Sequence, residues 1–142
     1  MTKMDGVTTL PWRPLPAVDA SNRPFWTGGA QGKLMIARCA GCRTYVHPPL
    51  PFCPACEARD VTPEAVSGNG TVFSYTVNHK AWLPDLPVPY VLALVELDEQ
   101  AGLRLPTNIV GCDPDDVHIG MRVEVQFEAV EDLSVPLFGP AP

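Results

Sequence analysis

The sequence predicts a mainly β chain: a short N-terminal helix, a small cysteine-rich module, and then a small barrel or sandwich of about five short strands. Three observations point there. Seventeen prolines and eleven glycines in 142 residues interrupt the chain too often for long helices. Four of the five cysteines fall in one stretch, RCAGCRTYVHPPLPFCPAC, residues 38–56. After residue 60 the apolar residues recur with the period-two alternation of half-buried strands. The chain is 46% hydrophobic, and its apolar residues come in patterned runs, which sets it apart from disordered sequences. Its length suits one domain or two small ones.

Residues 1–32 read as an extended arm followed by a short helix. Pro11, Pro14 and Pro16 resist regular structure, and Trp12 and Leu15 are candidate anchors for the arm. Ser21 or Asn22 fits a helix cap, Pro24 is tolerated in a first turn, and Gly28, Gly29 and Gly32 limit the length. Residues 33–60 read as a hairpin-like module: strand 33–37 leads into one cysteine pair and strand 44–47 leads away from it. Residues 61–142 carry the remaining strands. Segment 71–78 places Phe73, Tyr75 and Val77 on one face. Segment 90–97 is apolar on both faces, as in a central strand. In segment 103–110, Pro106 demands an edge position or a bulge. Segment 122–128 turns Val123, Val125 and Phe127 inward, and segment 135–138 closes the set. Between the third and fourth of these, Asp113 fits a helix N-cap, Pro114 the first helical position and Gly120 the stop. The aspartates at 113, 115 and 116 read more simply as helix-terminus carboxylates than as a metal site.

The cysteines stand as Cys39-x-x-Cys42 and Cys53-x-x-Cys56. Two intervening residues let a tight turn aim both sulfurs at one ion, and four thiolates match tetrahedral zinc. Iron also accepts four thiolates, but nothing else in the chain resembles an electron carrier, so structural zinc is the expected cofactor. Four protein ligands leave no coordination position for water, which makes the site a staple and not a reaction centre. His47 can in principle replace a cysteine, but with four present it reads as a neighbouring residue. Cys112 reads as buried filler before it reads as a nucleophile.

A formal net charge of −6 opposes the cation-rich surface that nucleic-acid binding requires. No stretch reaches the apolar length of a membrane-spanning helix, and the N-terminus has no secretory apolar core. A cytoplasmic location is expected, where paired cysteines more often hold metal than form disulfides. No Ser-His-Asp set, carboxylate pair or glycine-rich phosphate loop is legible; Gly68-Asn69-Gly70 reads as a turn entering a strand.

Several ordered segments carry a family likeness. They are PFW at 24–26, GKLMIARCAGC at 32–42, CPAC at 53–56, SGNGTVFSYTVNH at 67–79, PYVLALVELDE at 89–99, TNIVGCDPDDVHIGMRVEVQFE at 107–128 and PLFGP at 136–140. Together they resemble the acyl-CoA-associated family with a rubredoxin-like zinc ribbon and an OB-fold, domain of unknown function 35. Arg43 and Glu57 depart from the family pattern, since glycine often stands after each cysteine pair and serves where φ is positive.

The resemblance implies a five-stranded OB-fold barrel after the ribbon. It implies a non-catalytic accessory subunit of a thiolase-fold acyltransferase, thiolase or aldolase, helping to form an acyl-CoA site in steroid side-chain or lipid metabolism. A hot-dog-fold hydratase is a further partner it suggests. In the proline-rich loop 78–89, His79 and Lys80 are candidates to meet a CoA phosphate or a partner carboxylate, and Trp82 to enter a partner groove; a solvated loop with one packed tryptophan is the equal alternative. Phe25, Trp26, Tyr75, Trp82 and Tyr90 are the large aromatics to place. The competing reading is an OB-fold that binds single-stranded nucleic acid on stacked aromatics.

Overall fold

The computed structural model describes residues 3–4, 7–8 and 13–142; Pro11 and Trp12 lie outside them. Lys3–Met4 (β1) and Val7–Thr8 (β2) pair as a two-residue hairpin. The first helix, α1, spans Arg23–Thr27, with Pro24 in its first turn. Its cap differs from the expectation. Asn22 occupies the cap position without using its side chain there. Asp19 instead gathers the free donors: its Oδ1 accepts from the Ser21 hydroxyl at 2.7 Å and from the Ser21 and Asn22 N–H groups at 2.9 Å each. The Ser21 hydroxyl and the Asn22 N–H together hold the Asp19 carboxyl below its usual range. Gly28–Gln31 continues as a 3-10 turn that ends on Gly32 at φ 71°. Gly29 lies hard against Phe127 and Ser134, where a Cβ would overlap both side chains, so the turn docks by being bare.

Leu34–Cys39 (β3), Tyr45–Val46 (β4) and Val61–Val66 (β5) form a three-stranded antiparallel sheet in the order β4-β3-β5. The sequence reading missed β5. Pro63 and the exposed Thr62 and Ala65 hide its pattern, and the sheet edge is where a strand tolerates proline.

The remaining strands are Asn69–Asn78 (β6), Tyr90–Leu97 (β7), Arg104–Ile109 (β8), Arg122–Val130 (β9) and Leu133–Pro140 (β10). They close into a five-stranded barrel in the order β10-β8-β7-β6-β9, the strand order of an OB-fold. The β9–β10 hairpin contributes eight residue pairs, whereas β10 meets β8 in parallel at the single pair Phe138 and Ile109. Pro106 therefore faces Leu94 on one side and has no strand partner on the other, as its edge reading requires. The expected helix after Asp113 shortens to a 3-10 turn, Pro114–Asp116. Asp113 does cap it, accepting from the Asp115 N–H at 2.9 Å. Extension is stopped at Val117, which is extended and buried in the core.

The expected face of Phe73, Tyr75 and Val77 is broken by a bulge. The pairing jumps from Val72–Val95 to Ser74–Leu94, leaving Phe73 as the extra residue. Phe73 lies outside under Arg104, whose guanidinium stands 3.6 Å from the ring centre. Strand β7 is central as expected, yet only one face is covered: Val91, Ala93, Val95 and Leu97 are buried, while Leu92 and Leu94 are exposed.

One core joins ribbon and barrel. Phe25, Leu34, Ile36 and Tyr45 pack in the same cluster as Val72, Val95, Leu105 and Phe138. Polar groups lock the same junction. Gln100 accepts from the Tyr45 N–H at 2.8 Å and donates to the Tyr45 carbonyl at 3.2 Å, acting as a one-residue strand against β4. Glu99 accepts from the Ser67 N–H at 2.7 Å. His47 packs on Phe25, ring centres 4.9 Å apart, and its buried Nδ1 has no hydrogen-bond partner among the described residues.

Two stability measurements test this junction. Gln100→Ala removes two part-buried hydrogen bonds and is expected to destabilise the chain by roughly 1–3 kcal/mol in urea unfolding. Gln100→Glu keeps the acceptor for the Tyr45 N–H and should retain part of that loss. Burial depresses the His47 pKa in the folded chain. Below about pH 6.5 the unfolded chain then binds the proton first, so this group's contribution favours folding above that pH and is lost as pH falls towards the folded value. Comparing urea midpoints at pH 7.5 and 5.5 should show a smaller drop for His47→Phe than for the wild type.

Candidate functional site

The four predicted cysteines converge. Cys39 ends β3, Cys42 lies in the turn before β4, and Cys53 and Cys56 flank the second turn. Their sulfurs all lie within 4.8 Å of one another, with Cys39–Cys56 and Cys42–Cys53 each at 3.6 Å. A tetrahedron of sulfurs about 2.3 Å from a central zinc has edges of about 3.8 Å, so the spacing fits that ion. Both turns are built alike. The Arg43 N–H donates to the Cys39 carbonyl at 3.0 Å, and the Glu57 N–H donates to the Cys53 carbonyl at 2.7 Å. Arg43 and Glu57 adopt φ 67° and 66°, the left-handed geometry that glycine favours. For a residue with a Cβ this costs about 1–2 kcal/mol each. Arg43 is held there from outside: its carbonyl accepts from Arg38 Nε at 2.7 Å and its guanidinium pairs with Glu64 at 3.0 Å.

The protonation chemistry suits a cation. The Thr44 hydroxyl, 3.2 Å from Cys42 Sγ, leads the groups that hold this thiol down to about 6. At Cys56 the Ala58 N–H favours the thiolate, but the neighbouring Cys42 and Cys39 sulfurs oppose it and the thiol is pushed up to about 11. Four thiols this close do not all ionise unaided, and a divalent ion allows it. Cys39 and Cys53 are buried and Cys42 and Cys56 exposed, so the ion would sit at the rim of the module.

His79, Lys80 and Trp82 lie in the exposed loop between β6 and β7. Lys80 Nζ stands 4.4 Å from the Trp82 ring centre, a cation–π contact, and Trp82 is 66% exposed. The structure brings this pair together but leaves His79 apart from both in every contact described. Of the other aromatics, Phe25 is buried, Trp26 and Tyr90 are half-buried, and Tyr75 is exposed. Cys112 is no ready nucleophile: burial first, then the charges of Asp116 and Asp113, push its thiol up.

A cleft of about 590 Å³ opens beneath the same loop, between Leu83 and Leu86 on one side and Ile109 and Val110 on the other. Sequence reading missed it, because its walls come from segments that only the barrel brings together. Among the described residues, no helix is long and apolar enough to cross a membrane.

Fold and four-thiol site together define a rubredoxin-like zinc ribbon joined to an OB-fold barrel. Comparison with known proteins narrows this. Residues 26–62 match the model of the ChsH2 rubredoxin-like zinc ribbon domain, and residues 63–128 that of the ChsH2 C-terminal OB-fold domain. A DUF35 domain-containing scaffold protein of Methanocaldococcus jannaschii is 39% identical over 101 residues, 70% of each chain. A solved structure described as Ltp2-ChsH2(DUF35) aldolase is 45% identical, with a TM-score of 0.79 over 90% of this chain and 100% of that one. The chain belongs to the DUF35 family, in its ChsH2-like branch. A probable enoyl-CoA hydratase alpha subunit of Thermomonospora curvata is also 45% identical, over 130 residues; these make up 91% of this chain but 40% of that protein.

The metal centre carries a direct test. Metal analysis of the purified chain should give close to one zinc per chain. Because the ribbon shares its core with the barrel, chelation should lower the Tm of the whole chain in one transition. A drop of more than about 10 °C is expected, corresponding to at least ~2 kcal/mol.

Proposed function

We propose that this chain is a non-catalytic accessory subunit that binds a thiolase-fold acyltransferase or aldolase and helps form its acyl-CoA site. The observation that carries the reading is the 45% identity to the DUF35 chain of the aldolase, over the whole of that chain. The name scaffold protein, given to the Methanocaldococcus relative, agrees with a role in assembly. The hydratase alpha subunit is more than twice as long as the matching part, so a hot-dog-fold hydratase is proposed only as a further member of such a complex. In this reading Cys39, Cys42, Cys53 and Cys56 hold one structural zinc ion, which fixes residues 33–60, with β5 completing their sheet, as a rigid ribbon beside the barrel that begins at β6. The complex would act in the cytoplasm, in steroid side-chain or lipid metabolism.

The electrostatics support partner binding over nucleic-acid binding. Arg13, Arg38, Arg43, Arg104 and Arg122 are each engaged with a carboxylate, at distances from 2.6 to 3.6 Å. Guanidinium groups already paired with carboxylates make a poor track for phosphates. The loop of His79, Lys80 and Trp82 is the proposed contact with the partner or with the CoA at the shared site. Its exposed tryptophan is the kind of residue that dominates interface energetics.

Co-expression with a thiolase-fold acyltransferase or aldolase of the same organism should yield a complex that survives gel filtration at micromolar concentration. Trp82→Ala should weaken that complex at least tenfold while leaving the Tm within a few degrees of wild type. Separate migration of the two wild-type proteins would remove the reading.

A further inference from the structure

We propose that the cleft beneath the β6–β7 loop receives the uncharged, apolar part of the acyl group, and not the nucleotide of CoA. This deepens the accessory-subunit reading and rests on it for the identity of the ligand. The cleft's volume of about 590 Å³ lies within the usual range for sites that enclose a small molecule. Its walls are largely apolar: Leu83, Leu86 and Pro89 from the loop face Val91, Ile109 and Val110 of the barrel.

The charges decide which part of an acyl thioester fits. Among the described residues lining the cleft, Arg13 is the sole cation, and its Nε lies 2.7 Å from Glu128 Oε1. That closed pair cancels its own charge and offers no net attraction to phosphates. Lys80 is outside the lining and sits over Trp82. A nucleotide with several phosphates would therefore enter a neutral apolar cleft without counter-charges, at a large desolvation cost.

An acyl body meets no such cost. It also finds a polar rim. Tyr90 Oη accepts from Asn78 Nδ2 at 2.6 Å, which leaves its own proton to donate. Asn108 donates its amide N–H to the Val91 carbonyl at 2.9 Å, which leaves its Oδ1 as an acceptor. A carbonyl or hydroxyl on a chain or ring system can meet one of these. The Cys112 thiol, kept protonated by burial and by Asp116 and Asp113, is an inert part of the wall.

The test uses the full zinc-loaded chain and the neutral fluorescent probe N-phenyl-1-naphthylamine. Saturable binding is expected, with displacement by dodecanoyl-CoA and none by CoA at the same concentration. Leu86→Asp should weaken probe binding at least tenfold, and Ile119→Asp, at an exposed apolar site outside the cleft, should leave it unchanged. No saturable binding, equal effects of the two variants, or equal displacement by CoA would overturn the proposal. Leu86→Asp is also co-expressed with the partner. Retained co-purification supports a ligand cleft, whereas loss of the complex would show a protein-docking groove and overturn it. If the wild-type chain binds probe but never co-purifies with the partner, the accessory-subunit reading fails while the cleft's preference for apolar ligands stands.

Discussion

The rest of the structure depends on the burial of one face of the ribbon against the barrel. Leu34 and Ile36 are essentially inaccessible to water and belong to the barrel's own core cluster. Their burial alone is worth about 3–6 kcal/mol, a large share of the stability of a small domain. A module of some thirty residues has too little interior to stand by itself. Here it borrows the barrel's interior on one side and is clamped by a metal site on the other. The Gln100 amide, bonded to both backbone groups of Tyr45, converts that loose apolar contact into a defined orientation.

The two turns that hold the cysteines show what the clamp must overcome. Arg43 and Glu57 stand in left-handed backbone geometry without the freedom of glycine. Neither turn would adopt this shape for its own sake. At Arg43 the strain is offset in part by Glu64, which reaches from β5 to Arg43 and Arg38 together. β5 is therefore more than the third strand of a sheet: it carries the carboxylate that steadies the first metal-binding turn.

Much of this was legible in the sequence. The cysteine spacing picked out the four thiols that the fold brings within reach of one ion, and the span of β7 was read correctly as Tyr90–Leu97. What escaped did so for identifiable physical reasons. The face of β6 was misread because a bulge at Phe73 shifts the phase, and alternation counts residues without seeing an unpaired one. Both faces of β7 are apolar, which suggested cover on both, yet Leu92 and Leu94 are open. The helix at 113–120 had a good cap and a good stop, but the burial of Val117 ended it after three residues. The cleft was invisible because Leu86 and Ile109 meet only once the barrel closes. The resemblance to the ribbon and OB-fold family supplied the barrel topology that strand patterns alone left open between barrel and sandwich.

The barrel's circumference is stitched unevenly. Four of its five seams run over three or more residue pairs, whereas β8 and β10 pair only at Ile109 and Phe138, helped by the Val110 N–H, which donates to the Phe138 carbonyl at 2.9 Å, and by the Thr107 hydroxyl, which donates to the Pro136 carbonyl at 3.1 Å. Ile109 also lines the cleft. The girth of the barrel and the width of the cleft thus share a hinge, and pressure on the cleft wall acts where the cylinder has the fewest hydrogen bonds to resist it.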